Sequence, residues 1–154
     1  MNKFKLENVK NLSKSEIEIL DKLNSLDFSR VYRKLIATER GLSFLPQKAI
    51  DYIIYYKSYL LLWLINPSYD NLPMPLKIDT VWHVHILDTR LYTEHCDILF
   101  GKYKHHNPYP IAVDIDNPES SNKEKEASTK RFQTNIDKAV KIFYDYFETN
   151  LLEL

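Results

Sequence analysis

Hydrophobic residues recur at three- and four-residue steps through most of the chain, a pattern typical of α-helices that bury one face. Ser13 and Glu16 have the spacing of a capping box, in which each side chain satisfies a free backbone N–H, and they predict the start of a first helix. Asp27 can cap a second helix, and Gly41 suits the position just after its C-terminal end. The N-terminal third of the chain is therefore predicted to be helical.

Pro46 indicates where a third helix begins, because proline at the first helical position needs no N–H and already has a helical φ. This helix extends to about Ile65 and is apolar on most sides, which predicts a central place in the fold. A last helix is predicted from near Lys123, with five apolar residues on one face. They are Phe132, Ile136, Ala139, Phe143 and Phe147.

Two proline-bearing segments, residues 66–77 and 107–121, separate these helices and are predicted to be loops. The first reads as an extended connection, and the second as the most mobile part of the chain. Between them, the pattern from Ile78 onward fits two periods. Alternation predicts a strand as far as Ile86, whereas a helical stripe continues over 23 residues to Phe100.

The longer period favours a helix over residues 79–100. No Gly or Pro interrupts residues 76–100, Asp79 suits an N-cap, and Gly101 suits the end of the helix. The polar residues form only one narrow strip, so this helix should be buried nearly all round. The predicted fold is a compact all-α bundle of about five helices around a buried central helix at 79–100, in one domain spanning residues 1–154.

Composition excludes several classes of function. Lys and Arg total 21 and so do Asp and Glu, so no global field attracts nucleic acid. Two glycines are too few for a phosphate-binding loop, which argues against a nucleotide cofactor. The longest apolar run is seven residues, against roughly 20 for a membrane span. A single cysteine and an N-terminus without an apolar signal region predict a soluble, cytoplasmic protein.

All five histidines and the only cysteine lie between residues 78 and 106, which indicates metal binding or proton transfer there. On a straight helix, His83 and His85 point about 200° apart, and His85 and Cys96 stand roughly 16 Å apart, so neither pair could share an ion. The possible pairs are Asp79 with His83, His85 with Asp88, and Tyr92 with Cys96. His106 could fold back to Cys96 more easily than to His85.

A distinctive motif runs through this segment, within the block PLKIDTVWHVHILDTRLYTEHCDILFGKYKHHNPY at 75–109. Its residues are Asp79, Trp82, His83, His85, Tyr92, Cys96, Gly101 and His106. Over residues 50–109 the chain resembles the glycine-rich-domain-containing-protein-like family, as a small bacterial single-domain member. The glycine-rich segment that gives the family its name is absent. The resemblance implies a site pattern and no particular reaction.

The main functional hypothesis is a transition-metal site, structural or catalytic. Its candidate ligands are His83, His85 and His106. Further candidate site residues are Asp79, Trp82, Asp88, Tyr92, Cys96 and His105. Zinc or non-haem iron suits imidazole and carboxylate ligands better than calcium or magnesium does.

Two alternatives remain open. In one, the histidines are hydrogen-bonded core residues, with His85 bound to a tyrosine or carboxylate, and the protein is a non-catalytic interaction module. Eleven tyrosines or the 107–121 segment would then dock a protein partner. In the other, Cys96 is a nucleophile with His105 or His106 as its base, which is disfavoured because a buried thiol is inert. The sequence identifies no substrate.

Overall fold

The structure, a computed structural model, describes residues 2–107 and 117–154. Within these ranges the chain is all-α and contains no strand, which confirms the predicted fold class. The described residues form six α-helices, which are α1 Lys14–Ser25, α2 Ser29–Ile36, α3 Pro46–Ile65, α4 Leu76–Leu87, α5 Thr89–Phe100 and α6 Asn122–Phe147. Short 3-10 helices span Pro67–Asn71 and Leu151–Glu153.

The predicted helix starts are largely confirmed. The Ser13 backbone N–H donates to Glu16 Oε2 at 2.7 Å, and the Glu16 N–H donates to Ser13 Oγ at 3.3 Å, which completes the capping box of α1. Pro46 occupies the first turn of α3. The last helix, α6, begins beside the predicted Lys123 and has a capping box of its own, formed by Ser121 and Glu124.

Helix α3 lies at the centre of the fold. Half of its 20 residues are buried, and it packs against α1, α2 and α4. Its C-terminal turn contacts the middle of α4, where the Trp63 and Trp82 rings lie with centroids 4.8 Å apart. Because α3 is apolar on most sides, burial of its surface holds α4 in a fixed position and orientation.

The prediction of one unbroken helix over residues 79–100 is wrong. Helix α4 ends at Leu87, Asp88 leaves the helical region with φ −83° and ψ 74°, and α5 begins at Thr89. The Asp88 carboxylate accepts a hydrogen bond from the Leu91 N–H and caps α5. It also binds Arg30 of α2, with Arg30 Nε 2.8 Å from Asp88 Oδ2. An aspartate that bonds to the backbone in this way can end a helix without Gly or Pro.

Two predicted helix boundaries and the prediction for one connection also need correction. Helix α4 begins at Leu76, so Asp79 lies inside its first turn and is not the N-cap. The segment at 66–77 contains a 3-10 helix and is not extended throughout. Helix α2 ends at Ile36, so Gly41 lies in the following turn, where a Cβ atom would overlap the Ala37 carbonyl oxygen.

The N-terminus of α2 differs by one residue from the prediction. The Asp27 carboxylate accepts from the Ser29 N–H at 2.8 Å, although Phe28 holds the N-cap position. The 107–121 segment was predicted to be the most mobile part of the chain, and most of it, residues 108–116, lies outside the described residues. In the part of the chain that is described, no helix has the length and apolar character needed to cross a membrane.

Candidate functional site

Helix α4 carries two histidines that face opposite environments. His83 and His85 are two residues apart, so their side chains point about 200° apart around the helix axis. The His83 side chain is 51% exposed, whereas His85 is 1% exposed. Each belongs to a separate polar group, and the two groups have different chemistry.

The first group, called here the Asp79 group, consists of Asp79, His83 and His106. The Asp79 carboxylate lies between the two imidazoles, with Oδ1 3.0 Å from His106 Nε2 and Oδ2 3.1 Å from His83 Nδ1. The two rings have centroids 4.4 Å apart. One potential ligand atom from each residue lies within 4.8 Å of the other two, and this is the one such group of three found among the described residues.

Hydrogen bonding fixes the tautomer of His83. Its Nδ1 lies 2.8 Å from the backbone carbonyl oxygen of Asp79, one turn earlier in α4. Because a carbonyl oxygen only accepts hydrogen bonds, Nδ1 carries the hydrogen, and in the neutral ring Nε2 keeps its lone pair. Metal-binding histidines commonly donate one ring N–H to a carbonyl in this manner.

His106 reaches the group from the loop after α5. Gly101, with φ 66°, ends α5 in the left-handed region that favours glycine. The Tyr92 hydroxyl donates to the Lys104 carbonyl at 2.5 Å and accepts from Trp82 Nε1 at 3.0 Å. The His106 ring packs on Trp82, with centroids 4.3 Å apart. Tyr92 and Trp82 therefore hold this loop against α4.

A salt bridge strengthens the attachment of the same loop. The Lys104 ammonium lies 2.8 Å from Asp70 Oδ1 and 4.6 Å from the centroid of the Trp63 ring. Asp70 lies in the connection between α3 and α4, and Trp63 lies near the C-terminal end of α3. The His106 side chain is consequently only 15% exposed.

The second group, called here the His85 group, is buried and consists of Tyr56, His85 and His95. His85 Nδ1 lies 3.0 Å from Tyr56 Oη, and His85 Nε2 lies 3.0 Å from His95 Nδ1. Phe28 packs on both imidazoles, with centroids 5.2 Å from each ring. One arrangement satisfies all these contacts: the Tyr56 hydroxyl donates to Nδ1 of His85, and Nε2–H of His85 donates to His95.

Burial keeps the His85 group neutral. Desolvation, followed by repulsion from His95, lowers the pKa of His85 to about 3. Desolvation also lowers the pKa of His95 and raises that of Tyr56 well above its usual value of 10.0. Both nitrogens of His85 are hydrogen-bonded within the protein, so this imidazole fulfils the structural alternative in which a tyrosine binds it.

The bend at Asp88 makes this buried group possible. On a straight helix, residues ten apart stand about 15 Å apart, too far for a hydrogen bond between His85 and His95. The change of direction between α4 and α5 brings the two rings together, with centroids 4.9 Å apart. His95 and Tyr56 were missed at the sequence level because no local spacing signals a bend of this kind.

The remaining predicted pairs and candidate residues differ in the contacts that they make. Asp88 binds Arg30, and no hydrogen bond to His85 is present, which corrects the expected His85–Asp88 pair. Burial raises the pKa of the Cys96 thiol, and the neighbouring Lys104 backbone and Tyr92 side chain act in the opposite direction. His106 binds Asp79, whereas the sequence favoured contact with Cys96. His105 packs on Tyr103, with centroids 4.8 Å apart.

Comparison of the chain with family models, with curated proteins and with solved structures finds no match. The resemblance to the glycine-rich-domain-containing-protein-like family thus stays a prediction.

Proposed function

We propose that the Asp79 group binds a divalent transition-metal ion, with Asp79, His83 and His106 as its protein ligands. The observation that carries this proposal is the proximity of the three ligand atoms, within 4.8 Å of one another. They come from two separate segments, α4 and the loop after α5. Two imidazoles and one carboxylate suit zinc or iron rather than calcium or magnesium.

Three protein ligands leave coordination positions for water or a substrate. This is the usual arrangement of catalytic zinc and of non-haem iron, whereas structural zinc has four protein ligands. The half-exposed His83 gives solvent a route to the ion. We therefore infer an open site, in which the bound metal would polarise a water molecule or a substrate oxygen.

Asp79 replaces His85 in the predicted ligand set. Tyr56 and His95 occupy the two ring nitrogens of His85, so that binding a metal would break a buried hydrogen bond. The Asp79 carboxylate, in contrast, contacts both other residues, at His106 Nε2 and at His83 Nδ1, and the lone pair of His83 Nε2 stays available to the ion.

Metal and protons compete at the Asp79 group. In the neutral state, His106 Nε2 donates its hydrogen to Asp79 Oδ1. A metal bound at that nitrogen would displace the hydrogen, and protonated imidazoles do not bind metals.

The test is a titration of untagged protein with Zn²⁺ and with Co²⁺, whose absorption spectrum reports coordination. We expect one ion per chain, and binding at least about 100-fold weaker in Asp79→Asn, His83→Ala and His106→Ala. His105→Ala is the matched control, because it removes an exposed neighbouring imidazole outside the group. Binding that is absent, or that these three variants leave unchanged, would refute the proposal and favour the interaction module.

A further inference from the structure

A surface cleft lies between α2 and the C-terminal end of α4, and no residue of the Asp79 group lines it. Its volume is about 570 Å³, within the roughly 300–1,000 Å³ of small-molecule sites. Arg30, Arg33 and Lys34 of α2 form one side of it, and Asp88 lies at the joint of α4 and α5.

The lining of this cleft is basic, although the whole chain has a net charge of zero. The lining has three cationic residues and one carboxylate, so it carries a net charge of +2, although the Lys34 ammonium also donates to the Arg40 carbonyl outside it. Arg30 is paired with Asp88. Arg33 also acts on Asp27, outside the lining, and helps to lower the pKa of that carboxyl after the hydrogen bonds from Ser29. The excess positive charge favours an anionic ligand.

The remainder of the lining is aliphatic. Val31 and Val84 are buried at its base, and Leu87 lies at its rim with 79% of its surface exposed. A ligand with both a hydrocarbon part and a negative charge would contact the aliphatic and the cationic residues of this lining together. Inorganic anions would leave the aliphatic surface in water.

We propose that this cleft binds an aliphatic carboxylate, with its chain against Val84 and Leu87 and its carboxylate beside Arg33 and Lys34. The proposal goes beyond metal binding and does not depend on it. The carboxylate would also compete with Asp88 for Arg30, since both offer the same paired oxygens to the guanidinium. The ligand would thereby contact the joint that positions α5.

Octanoate is a suitable probe, with octanol lacking the charge and acetate lacking the chain. Two-dimensional NMR of the whole chain should show saturable shifts of the Val31, Val84 and Leu87 methyl groups with octanoate. We expect octanol and acetate to bind at least about fivefold more weakly than octanoate, and added salt to weaken octanoate binding. Equal binding of octanoate and octanol would overturn the proposal, and so would shifts confined to other methyl groups.

Charge variants provide the second test. The double variant Arg33→Gln/Lys34→Gln should bind octanoate about five- to tenfold more weakly, as expected for two exposed charge interactions. Lys14→Gln/Lys130→Gln removes the same charge from exposed positions outside the cleft and should bind like the wild-type chain. All four positions are exposed, and circular dichroism checks that both variants fold. Equal affinities of the two double variants would refute the assignment.

Discussion

The two histidine groups of α4 differ in how completely the protein satisfies their polar atoms. In the His85 group, both nitrogens of the central imidazole are hydrogen-bonded and the whole group is buried. In the Asp79 group, one nitrogen of His83 faces the helix backbone and the other keeps its lone pair at a half-exposed position. Neighbouring histidines can thus have different roles: the first group stabilises the fold, and the second is the one that we propose binds a metal ion.

The largest expected effect that separates the two groups is on stability. His85→Ala would leave Tyr56 Oη and His95 Nδ1 without their partner and would open a cavity, lowering the free energy of unfolding by about 3–5 kcal/mol. His83→Ala, at a half-exposed position, should change it by less than about 0.5 kcal/mol. Urea unfolding of metal-free protein, followed by tryptophan fluorescence, measures both. Similar losses in the two variants would contradict the division of roles.

The next effect is the dependence of stability on pH. Unfolded His85 takes up a proton near pH 6.5, whereas folded His85 stays neutral down to about pH 3. Between these values the unfolded state binds more protons, so stability is full above pH 6.5 and falls as the pH falls. The contribution of His85 is about 2 kcal/mol between pH 6.5 and pH 5. Urea unfolding at a series of pH values checks it.

The variant His85→Gln serves as the control for this pH dependence, because it has no group that titrates there. Its free energy of unfolding should fall less steeply in acid than that of the wild-type chain. Imidazole NMR at about pH 5 should also show a neutral His85 ring. If the free energies of unfolding of His85→Gln and of the wild-type chain fell equally steeply with pH, and His85 were protonated at about pH 5, burial would not hold this ring neutral.

The smallest effect concerns the Asp79 group and rests on the proposed metal site. Tyr92→Phe removes the hydroxyl that joins Trp82 to the Lys104 carbonyl, so the loop carrying His106 would be held less firmly. We expect metal affinity to fall about tenfold, and the His106 resonances of metal-free protein to broaden. Tyr103→Phe, whose ring packs on Tyr92, should leave both unchanged. Wild-type affinity in Tyr92→Phe would exclude this positioning role.

Local sequence patterns predicted most of the helices, because their signals act over a few residues. The capping box at Ser13 and Glu16 and the proline at position 46 satisfy or remove backbone N–H groups directly. The break at Asp88 escaped prediction because only part of its cause is local. The carboxylate caps α5 through the Leu91 N–H, and it also binds Arg30, which is 58 residues away in sequence.

Part of the candidate site could also be predicted from local sequence patterns. Asp79 and His83 are one helical turn apart, so their contact follows from helix geometry alone. The approach of His106 depends on the loop that Tyr92 and Lys104 hold, which no spacing reveals. The meeting of His85 with His95 likewise required the bend, and a straight helix would have kept them apart.

The joint at Asp88 also makes chain length critical in this part of the molecule. One residue inserted between Thr89 and Glu94 would rotate every later position of α5 by about 100° and advance it by about 1.5 Å. The imidazole of His95 would then turn away from α4, and the buried pair would be lost although no side chain had been replaced. The interval of ten residues between the two rings is therefore as much a requirement of this architecture as the rings themselves.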